Sequence, residues 1–487
     1  MRRLVTKWNK QKIRVLYSKY TWMMFVVFFF IQSSCTPSLQ KSPQELVFKP
    51  LEATFPQIEP VRLENGIVVY LLEDHELPLF NLFALIRTGS IYEPDDKLGL
   101  AELTGVVMRT GGTRSMSGDE INEQLEFIAG SIETNIDRDV GTASLSVLKK
   151  DIDLGLRIFA DVVMHPIFAQ DKFDLAKKKK EEVIRRRNDN PQDIAFREFR
   201  RLVFHNNPRG RIETLKTIAH IKREDLVNFH RKYFHPSNII IGISGDFERE
   251  EIITKIEELF KEWSAEEITF PNVVPPEEIR GKSVNYVYKD LPQSTIAMGH
   301  LAVSKAHPDF FPFTVLNFIL GGGGFNSRLI SEIRSNRGLA YSVGSFYRAE
   351  VDYGIFGTYC FTKSDSTAEC INLILEMIGK VQKEGISQKE LDWAKSSVIN
   401  NFIFEFTSSA QIVSKEIAIA YDKLPKEFLE TYRERIAAVT LDDVNRVAEK
   451  YLHPDDMILM VVGDSKSFDK PLSEFGKVTI IPLEKIL

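Results

Sequence analysis

The chain has 487 residues, of which 43% are hydrophobic and 27% charged, and its formal net charge is −5 at pH 7. This length exceeds one ordinary hydrophobic core, and the composition is typical of a folded globular protein. The weak negative charge excludes a general electrostatic field for nucleic acid, so no nucleic-acid partner is expected. Three cysteines without a CxxC pair are too few for a disulfide framework. Cys360 and Cys370 could bridge in an oxidising compartment, but two unpaired core thiols are favoured.

Residues 1–35 are predicted to be a secretory signal. Residues 1–19 carry seven basic residues and no acid, and the apolar run Trp22–Ile31 is about half the length that spans a bilayer. Gln32-Ser33-Ser34-Cys35 resembles a bacterial lipoprotein box in which Cys35 is lipidated, although Gln32 stands where Leu is usual. Plain cleavage and an uncleaved anchor are the alternatives. Residues 36–50 predict a polar tether, and the expected location is the cell envelope, as a lipid-anchored outer-membrane protein facing the periplasm.

Residues 51–264 are predicted to form the first of two related domains. Hydrophobic periodicity predicts strands at Val68–Leu72, Leu79–Ile86 and Ala143–Leu148, and helices at Ile152–Val163 and Lys172–Arg187. The first two strands are predicted to pair as a hairpin. Strands and helices mix without regular βαβ alternation, which predicts an α+β fold: a mainly antiparallel sheet covered by helices. Lys177–Lys180 and Arg185–Arg187 are predicted to form a solvated helix face, with binding of an acidic partner as the alternative.

The second domain, residues 283–487, follows a Pro- and Glu-rich linker at residues 265–282. The segment from Asp225 to Asp246 aligns without a gap with the segment from Asp443 to Asp464. Each segment contains an amphipathic helix, a Tyr-x-His-Pro break, an apolar strand and a Gly-Asp turn. The shared offset indicates that one unit occurs twice in the chain.

Several motifs, taken in order, resemble the M16 (insulinase/pitrilysin) metallopeptidases, and most closely their M16B and mitochondrial-processing-peptidase branch. They are Gly99-Leu100-Ala101, Gly111-Gly112-Thr113, His165-Pro166-Ile167-Phe168, both Tyr-x-His-Pro segments, the Gly321–Gly324 run and Arg334-x-x-x-Gly338-Leu339-Ala340-Tyr341. The resemblance covers roughly residues 45–470. It implies two homologous LuxS/MPP-like α/β-roll halves in a clamshell arrangement.

The family holds zinc with His-x-x-Glu-His on its first helix and a more distant Glu. The four-residue step places both imidazoles on one helix face, and the intervening Glu activates a zinc-bound water. In this sequence Glu102 stands for the first His, Gly105 for the general base and Val106 for the second His, and only the distal ligand persists, as Glu182. Two carboxylates do not select zinc. The chain is therefore expected to bind no metal and not to be a zinc peptidase alone.

The residues of this degenerate motif and their neighbours on the helix are predicted to be ordinary helix residues. Glu102 is expected to be solvated near the helix N-terminus, where the dipole favours an acid. Leu103, Val106 and Val107 are expected to pack in the core.

The resemblance also implies a second functional element, the pair Arg334 and Tyr341, which binds substrate and supports the oxyanion of the tetrahedral intermediate. The alternative is structural: a cation at a helix C-terminus and an aromatic packing on a strand. The run Gly321, Gly322, Gly323 and Gly324 lacks the Lys-Ser/Thr of a phosphate loop and is predicted to approach a bound peptide or to form a flexible closing loop.

The sequence thus predicts the non-catalytic subunit of a two-component M16B zinc peptidase. Its heterodimeric partner is expected to carry His-x-x-Glu-His and Zn²⁺, and the two chains are expected to close around an unfolded peptide. The alternative is a catalytically inactive envelope lipoprotein that binds peptides or scaffolds a complex.

Overall fold

The structure is a computed structural model that describes residues 56–483. The predicted signal, the tether and Cys35 lie outside the described residues. Across residues 56–483, no helix combines the length and the apolar character needed to cross a bilayer.

The first half contains one six-stranded sheet and a set of helices. The strands are β1 (Val61–Arg62), β2 (Val68–Glu73), β3 (Leu79–Ile86), β4 (Ser131–Ile136), β5 (Gly141–Leu148) and β6 (Ile239–Gly245). The helices are α1 (Leu100–Thr110), α2 (Gly118–Phe127), α3 (Ile152–Met164), α4 (Gln170–Arg186), α5 (Pro191–Val203), α6 (Leu215–His220), α7 (Arg223–Tyr233) and α8 (Arg249–Phe260). The strand order is β1-β2-β6-β3-β5-β4.

The second half repeats this plan. Its strands are β7 (Ser283–Tyr288), β8 (Gln293–Ala302), β9 (Ala340–Ala349), β10 (Gly354–Lys363), β11 (Ile458–Gly463) and β12 (Val478–Ile480). Its helices are α9 (Phe310–Asn317), α10 (Thr367–Glu384), α11 (Gln388–Ile403), α12 (Ser409–Tyr421), α13 (Phe428–Ala438) and α14 (Leu441–Tyr451), with π-helical segments at Phe318–Gly322 and Ile330–Asn336. The strand order is β12-β7-β11-β8-β10-β9.

Five neighbouring strands have the same order in both sheets: β2-β6-β3-β5-β4 in the first corresponds to β7-β11-β8-β10-β9 in the second. This correspondence confirms the duplication that the sequence predicted. The repeated segment is α7 followed by β6 in one half, and α14 followed by β11 in the other. Both sheets are mainly antiparallel, and in each the strand after the repeated helix runs parallel to the first long strand. The expected α+β halves are therefore confirmed.

The predicted hairpin of β2 and β3 is wrong. Strand β6 lies between them, parallel to β2 and antiparallel to β3. The sequence Ile239–Gly245 is almost wholly buried. Such an apolar strand is stable at a central position of the sheet, where both faces are covered, and it displaces the local pairing.

The two halves exchange one helix each. Helix α5 of the first half packs on the second sheet, where Ile194 and Phe199 join the buried Val287 and Met460. Helix α12 of the second half packs on the first sheet through Val413 and Ile417. Each fully buried apolar side chain of this kind contributes about 1.5–3 kcal/mol. The exchange fixes α5 between the halves, and this position shapes the cavity described below.

Candidate functional site

Helix α1 carries the degenerate metal motif, and a buried carboxylate fixes its N-terminus. The Glu93 side chain accepts hydrogen bonds from the backbone N–H groups of Gly99 (3.1 Å) and Ala101 (2.6 Å). Burial raises the pKa of Glu93 to about 7, although these two N–H donors act in the opposite direction. The start of the helix is therefore anchored by a group that titrates near neutrality.

Glu102, at the position of the first family histidine, is an ion-pair partner and not simply a solvated residue. Lys180 on α4 is buried, and its Nζ lies 2.5 Å from Oε2 of Glu102 and 3.1 Å from Oε1 of Glu213. Burial alone would lower the pKa of Lys180, but the attraction of Glu213 and Glu102 outweighs it and the pKa is raised. The prediction of a fully solvated Lys177–Lys180 face is thus wrong at Lys180. An ammonium of the chain itself already neutralises the Glu102 carboxylate.

Gly105, at the position of the general base, has no room for a side chain. A Cβ atom there would lie 2.5 Å from the backbone N of Ile136 and 2.9 Å from the backbone C of Asn135, both on β4. Thr134, also on β4, donates a hydrogen bond of 2.7 Å from its hydroxyl to the Gly105 carbonyl. The helix can lie this close to the strand only because residue 105 is glycine.

The packing predictions for the rest of the motif are met in part. Leu103 and Val107 are 2% and 0% exposed, which confirms them as core residues. Val106 is 40% exposed, so its prediction as a core contact is wrong. The helix turns this position away from the sheet, on the side where a metal ligand would be required, and it presents an aliphatic group there.

Glu182, the remaining ligand position, is also engaged. Its Oε1 accepts a hydrogen bond of 2.5 Å from Nε of Arg186, one turn further along α4. The residues of this site do not fit zinc, because one carboxylate is bound to Lys180, the other to Arg186, and Val106 and Gly105 offer no donor atom. Among residues 56–483 no cluster of three or more His, Cys, Asp or Glu side chains could hold a metal ion.

Arg334 and Tyr341 are brought together on the second half. The guanidinium carbon of Arg334 lies 5.8 Å from the ring centroid of Tyr341 and 5.0 Å from that of Phe325. Tyr341 is 83% exposed and Phe325 is 66% exposed. Within residues 56–483 Arg334 has no carboxylate within salt-bridge distance. Its guanidinium lies near both rings and is exposed, so the positive charge remains available to an anion.

The glycine run does not form one uniform loop. A Cβ at Gly321 would lie 2.3 Å from the backbone N of Ser345 on β9, and a Cβ at Gly323 would lie 2.5 Å from Trp393. These two glycines therefore serve packing within the chain. Gly324 has a φ of +69° and open space around it, and it leads directly to Phe325. The contact of this run with a peptide stays a prediction.

A cavity of about 1000 Å³ lies between the halves, and the sequence patterns did not predict it. Its lining includes Glu182 and Val183 of α4, several residues of α5, and residues of strands β9 and β10. The cluster Arg185–Arg187 was the available signal, because Arg186 and Arg187 reach this cavity. Arg197 and Arg200 follow on the next helix, whereas Arg138 and Arg348 come from distant parts of the sequence that only the fold brings together.

Comparisons with known proteins agree with this architecture. The family profile "Insulinase (Peptidase family M16)" matches residues 69–215, and the profile "Peptidase M16 inactive domain" matches residues 220–398. The chain belongs to peptidase family M16. The chain is also similar to an uncharacterized zinc protease of Rickettsia bellii, with 27% identity over 395 residues. The match covers 79% of this M16 chain and 94% of that protein.

Two further M16 comparisons extend over most of the chain. A probable mitochondrial-processing peptidase subunit beta of Arabidopsis thaliana is 22% identical over 427 residues, or 84% of this chain and 78% of that protein. The crystal structure of a peptidase M16 inactive domain from Pseudomonas fluorescens has a TM-score of 0.79 at 25% identity and covers 85% of this chain and 100% of that one. This M16 chain therefore has an M16 peptidase fold together with a motif helix that offers no zinc site.

Proposed function

We propose that this chain is the non-catalytic partner subunit of a two-component M16 zinc peptidase and supplies Arg334 and Tyr341 in trans. The observation that carries the proposal is the exposed Arg334 guanidinium, which lies over the rings of Tyr341 and Phe325 and has no carboxylate partner in the described residues. A purely structural arginine would be expected to pair with an acid, as Arg337 does with Glu332 at 2.7 Å.

The proposed chemistry divides between the two chains. On the partner chain, which carries His-x-x-Glu-His, zinc supplies the activated water and polarises the substrate carbonyl. On this chain, the guanidinium of Arg334 and the phenol of Tyr341 both donate hydrogen bonds to the oxygen on which negative charge develops. Such donors are worth several kcal/mol in a closed site, because they stabilise the transition state more than the substrate.

The experiment is reconstitution with a related M16 chain that has the zinc motif, followed by peptide cleavage assays. Arg334→Ala and Tyr341→Phe are each expected to lower kcat of the pair by about 10²-fold or more. Tyr288→Phe is the matched control, because Tyr288 is also an exposed strand tyrosine, at 51%, and lies outside the proposed site. Unchanged kcat in both site variants would refute the role in trans.

A second candidate is a catalytically inactive envelope protein that binds peptides. The cavity between the halves favours it, since a binding site can serve without any chemistry. The reconstitution experiment separates the two candidates. If no zinc-bearing M16 chain co-purifies or gains activity on mixing, the binding protein is the better description.

The proposed location is the cell envelope, with the chain anchored through a lipid on Cys35. This follows from the order of basic, apolar and small residues before that cysteine. In this proposal the chain faces the periplasm from an outer membrane.

A further inference from the structure

The cavity between the two halves has an unusual charge. Its lining contains six arginines and three acids, whereas the whole chain carries a net charge of −5. The arginines are Arg138, Arg186, Arg187, Arg197, Arg200 and Arg348, and the acids are Glu182, Asp193 and Glu350. The excess positive charge is therefore concentrated at this site against the overall charge of the protein.

Half of these arginines already have partners inside the chain. Arg186 pairs with Glu182, and Arg187 donates a hydrogen bond of 2.6 Å to the carbonyl of Glu213. Arg197 donates to the Glu198 carboxylate at 3.1 Å and to the Asn188 side chain at 2.9 Å. These three side chains build the wall of the cavity.

The other three arginines have no carboxylate within salt-bridge distance among residues 56–483. They are Arg138, beyond the end of β4, Arg200 on α5, and Arg348 on β9. The Nε atom of Arg200 is buried and has no hydrogen-bond partner in the described residues. Burial, followed by the positive charge of Arg138, lowers the pKa of Arg200, whereas Glu213 and Asp137 act in the opposite direction. Two like charges held together at a partly buried position indicate a missing anion.

A free strand edge beside the cavity indicates that the ligand is an extended chain. Strand β9 is an edge of the second sheet, and within the described residues it pairs only with β10. Phe346 and Arg348 lie two residues apart on β9 and thus on one face, where Phe346 packs against Phe196 and Phe199 of α5. A free strand edge accepts a peptide as an added strand, and the alternating side chains of that peptide meet the side chains beside the edge.

We propose that this cavity binds a peptide segment that carries aspartate or glutamate, whose carboxylates pair with Arg138, Arg200 and Arg348. The proposal rests on the proposed function, because peptide recognition is assumed there, and it adds a preference for acidic sequences. The aromatic side chains of α5, β9 and β10 form the apolar floor of the site, and the guanidinium groups select charge through paired hydrogen bonds. The volume of about 1000 Å³ lies at the upper end of the range of about 300–1000 Å³ typical of ligand sites.

The test measures binding by the purified full chain, with fluorescence anisotropy of labelled peptides. One ten-residue peptide carries several Asp and Glu residues, and its twin carries Asn and Gln at the same positions. The acidic peptide is expected to bind about tenfold more tightly or better. The double variant Arg138→Gln/Arg200→Gln is expected to lose this preference, with folding checked by circular dichroism. Arg231→Gln is the control, because Arg231 is exposed on α7 and, among residues 56–483, its side chain donates only to Asn228.

Equal affinity of the two peptides for the unaltered chain would overturn the proposal, and this comparison does not depend on any variant folding. Retention of the preference in the double variant would also overturn it. Inorganic pyrophosphate that displaces the acidic peptide far more effectively than free glutamate does would identify a phosphate site instead. None of these results touches the role of Arg334 and Tyr341, because activity of the reconstituted pair tests that role separately.

Discussion

Gly105 allows a sharp test of why residue 105 of α1 carries no side chain. The perturbation is Gly105→Ala, which adds only one methyl group in the middle of α1. In an unobstructed helix this change is stabilising by about 1 kcal/mol, because alanine loses less conformational entropy than glycine. At residue 105 the added Cβ meets the backbone of β4 at 2.5 Å, where ordinary contact begins at 3.4 Å.

The magnitude follows from two opposing effects. Overpacking that moves one element away from another costs about 1–3 kcal/mol, because the obstacle here is backbone and cannot rotate away. The separation of α1 from β4 also strains the 2.7 Å hydrogen bond from Thr134 to the Gly105 carbonyl. After the gain in helix propensity is subtracted, the expected net effect is a destabilisation of about 1 kcal/mol.

The assay is urea denaturation followed by circular dichroism, with Gly379→Ala as the matched control. Gly379 lies inside α10, and a Cβ there would meet no atom within 4 Å. The control variant is expected to raise the denaturation midpoint and Gly105→Ala to lower it. If both variants raise the midpoint, α1 can move freely from β4 and the steric explanation for the missing base is wrong.

Three further predictions concern charge, metal and anchoring. Glu93 has a folded-state pKa near 7, above its ordinary value, so its contribution to stability is complete below about pH 4.5 and falls by about 3 kcal/mol as the pH rises to 7. The substitution Glu93→Gln is therefore expected to flatten the pH dependence of the unfolding free energy in this window, and an unaltered pH profile would contradict the assignment. The triple variant Glu102→His/Gly105→Glu/Val106→His is expected to bind zinc substoichiometrically by elemental analysis, because a side chain at residue 105 displaces α1 from β4 and Lys180 still pairs with Glu213 beside the new ligands. Cys35→Ser is expected to move the chain from the membrane to the soluble fraction, and an unchanged distribution would exclude lipid anchoring through Cys35.

The duplication could be predicted from the sequence because each copy carries its own strong local pattern. The Tyr-x-His-Pro breaks at His235 and His453 follow amphipathic helices and precede apolar strands, and the structure has α7–β6 and α14–β11 at those places. Helix bounds were also predictable: Ile152–Val163 was expected, and Ile152–Met164 is observed. Local periodicity and chain breaks determine these features, so no tertiary information is needed.

Features that depend on distant pairing were not predictable in the same way. Strand β6 separates β2 and β3 although it lies more than 150 residues further along the chain. The engagement of Glu102 depends on Lys180, and nothing in the charge run Lys177–Lys180 distinguishes its buried member from the others. The exposure of Val106 depends on the rotation of α1 against β4, which Gly105 sets.

These positions together are the reason why we expect that restoring the ligands alone would not create a zinc site. A zinc ion beside α1 would require several donor atoms, negative or neutral, that point to one common position. Here the positively charged ammonium of Lys180 is instead bound to Glu102 and Glu213. Removal of Lys180 would leave two carboxylates beside each other without a cation, and removal of Glu102 would leave a buried ammonium with one partner. The ion pair and the close packing at Gly105 support the same helix position. The motif helix is thus held in a form whose side chains do not fit zinc, while the Arg334 guanidinium on the other half is exposed.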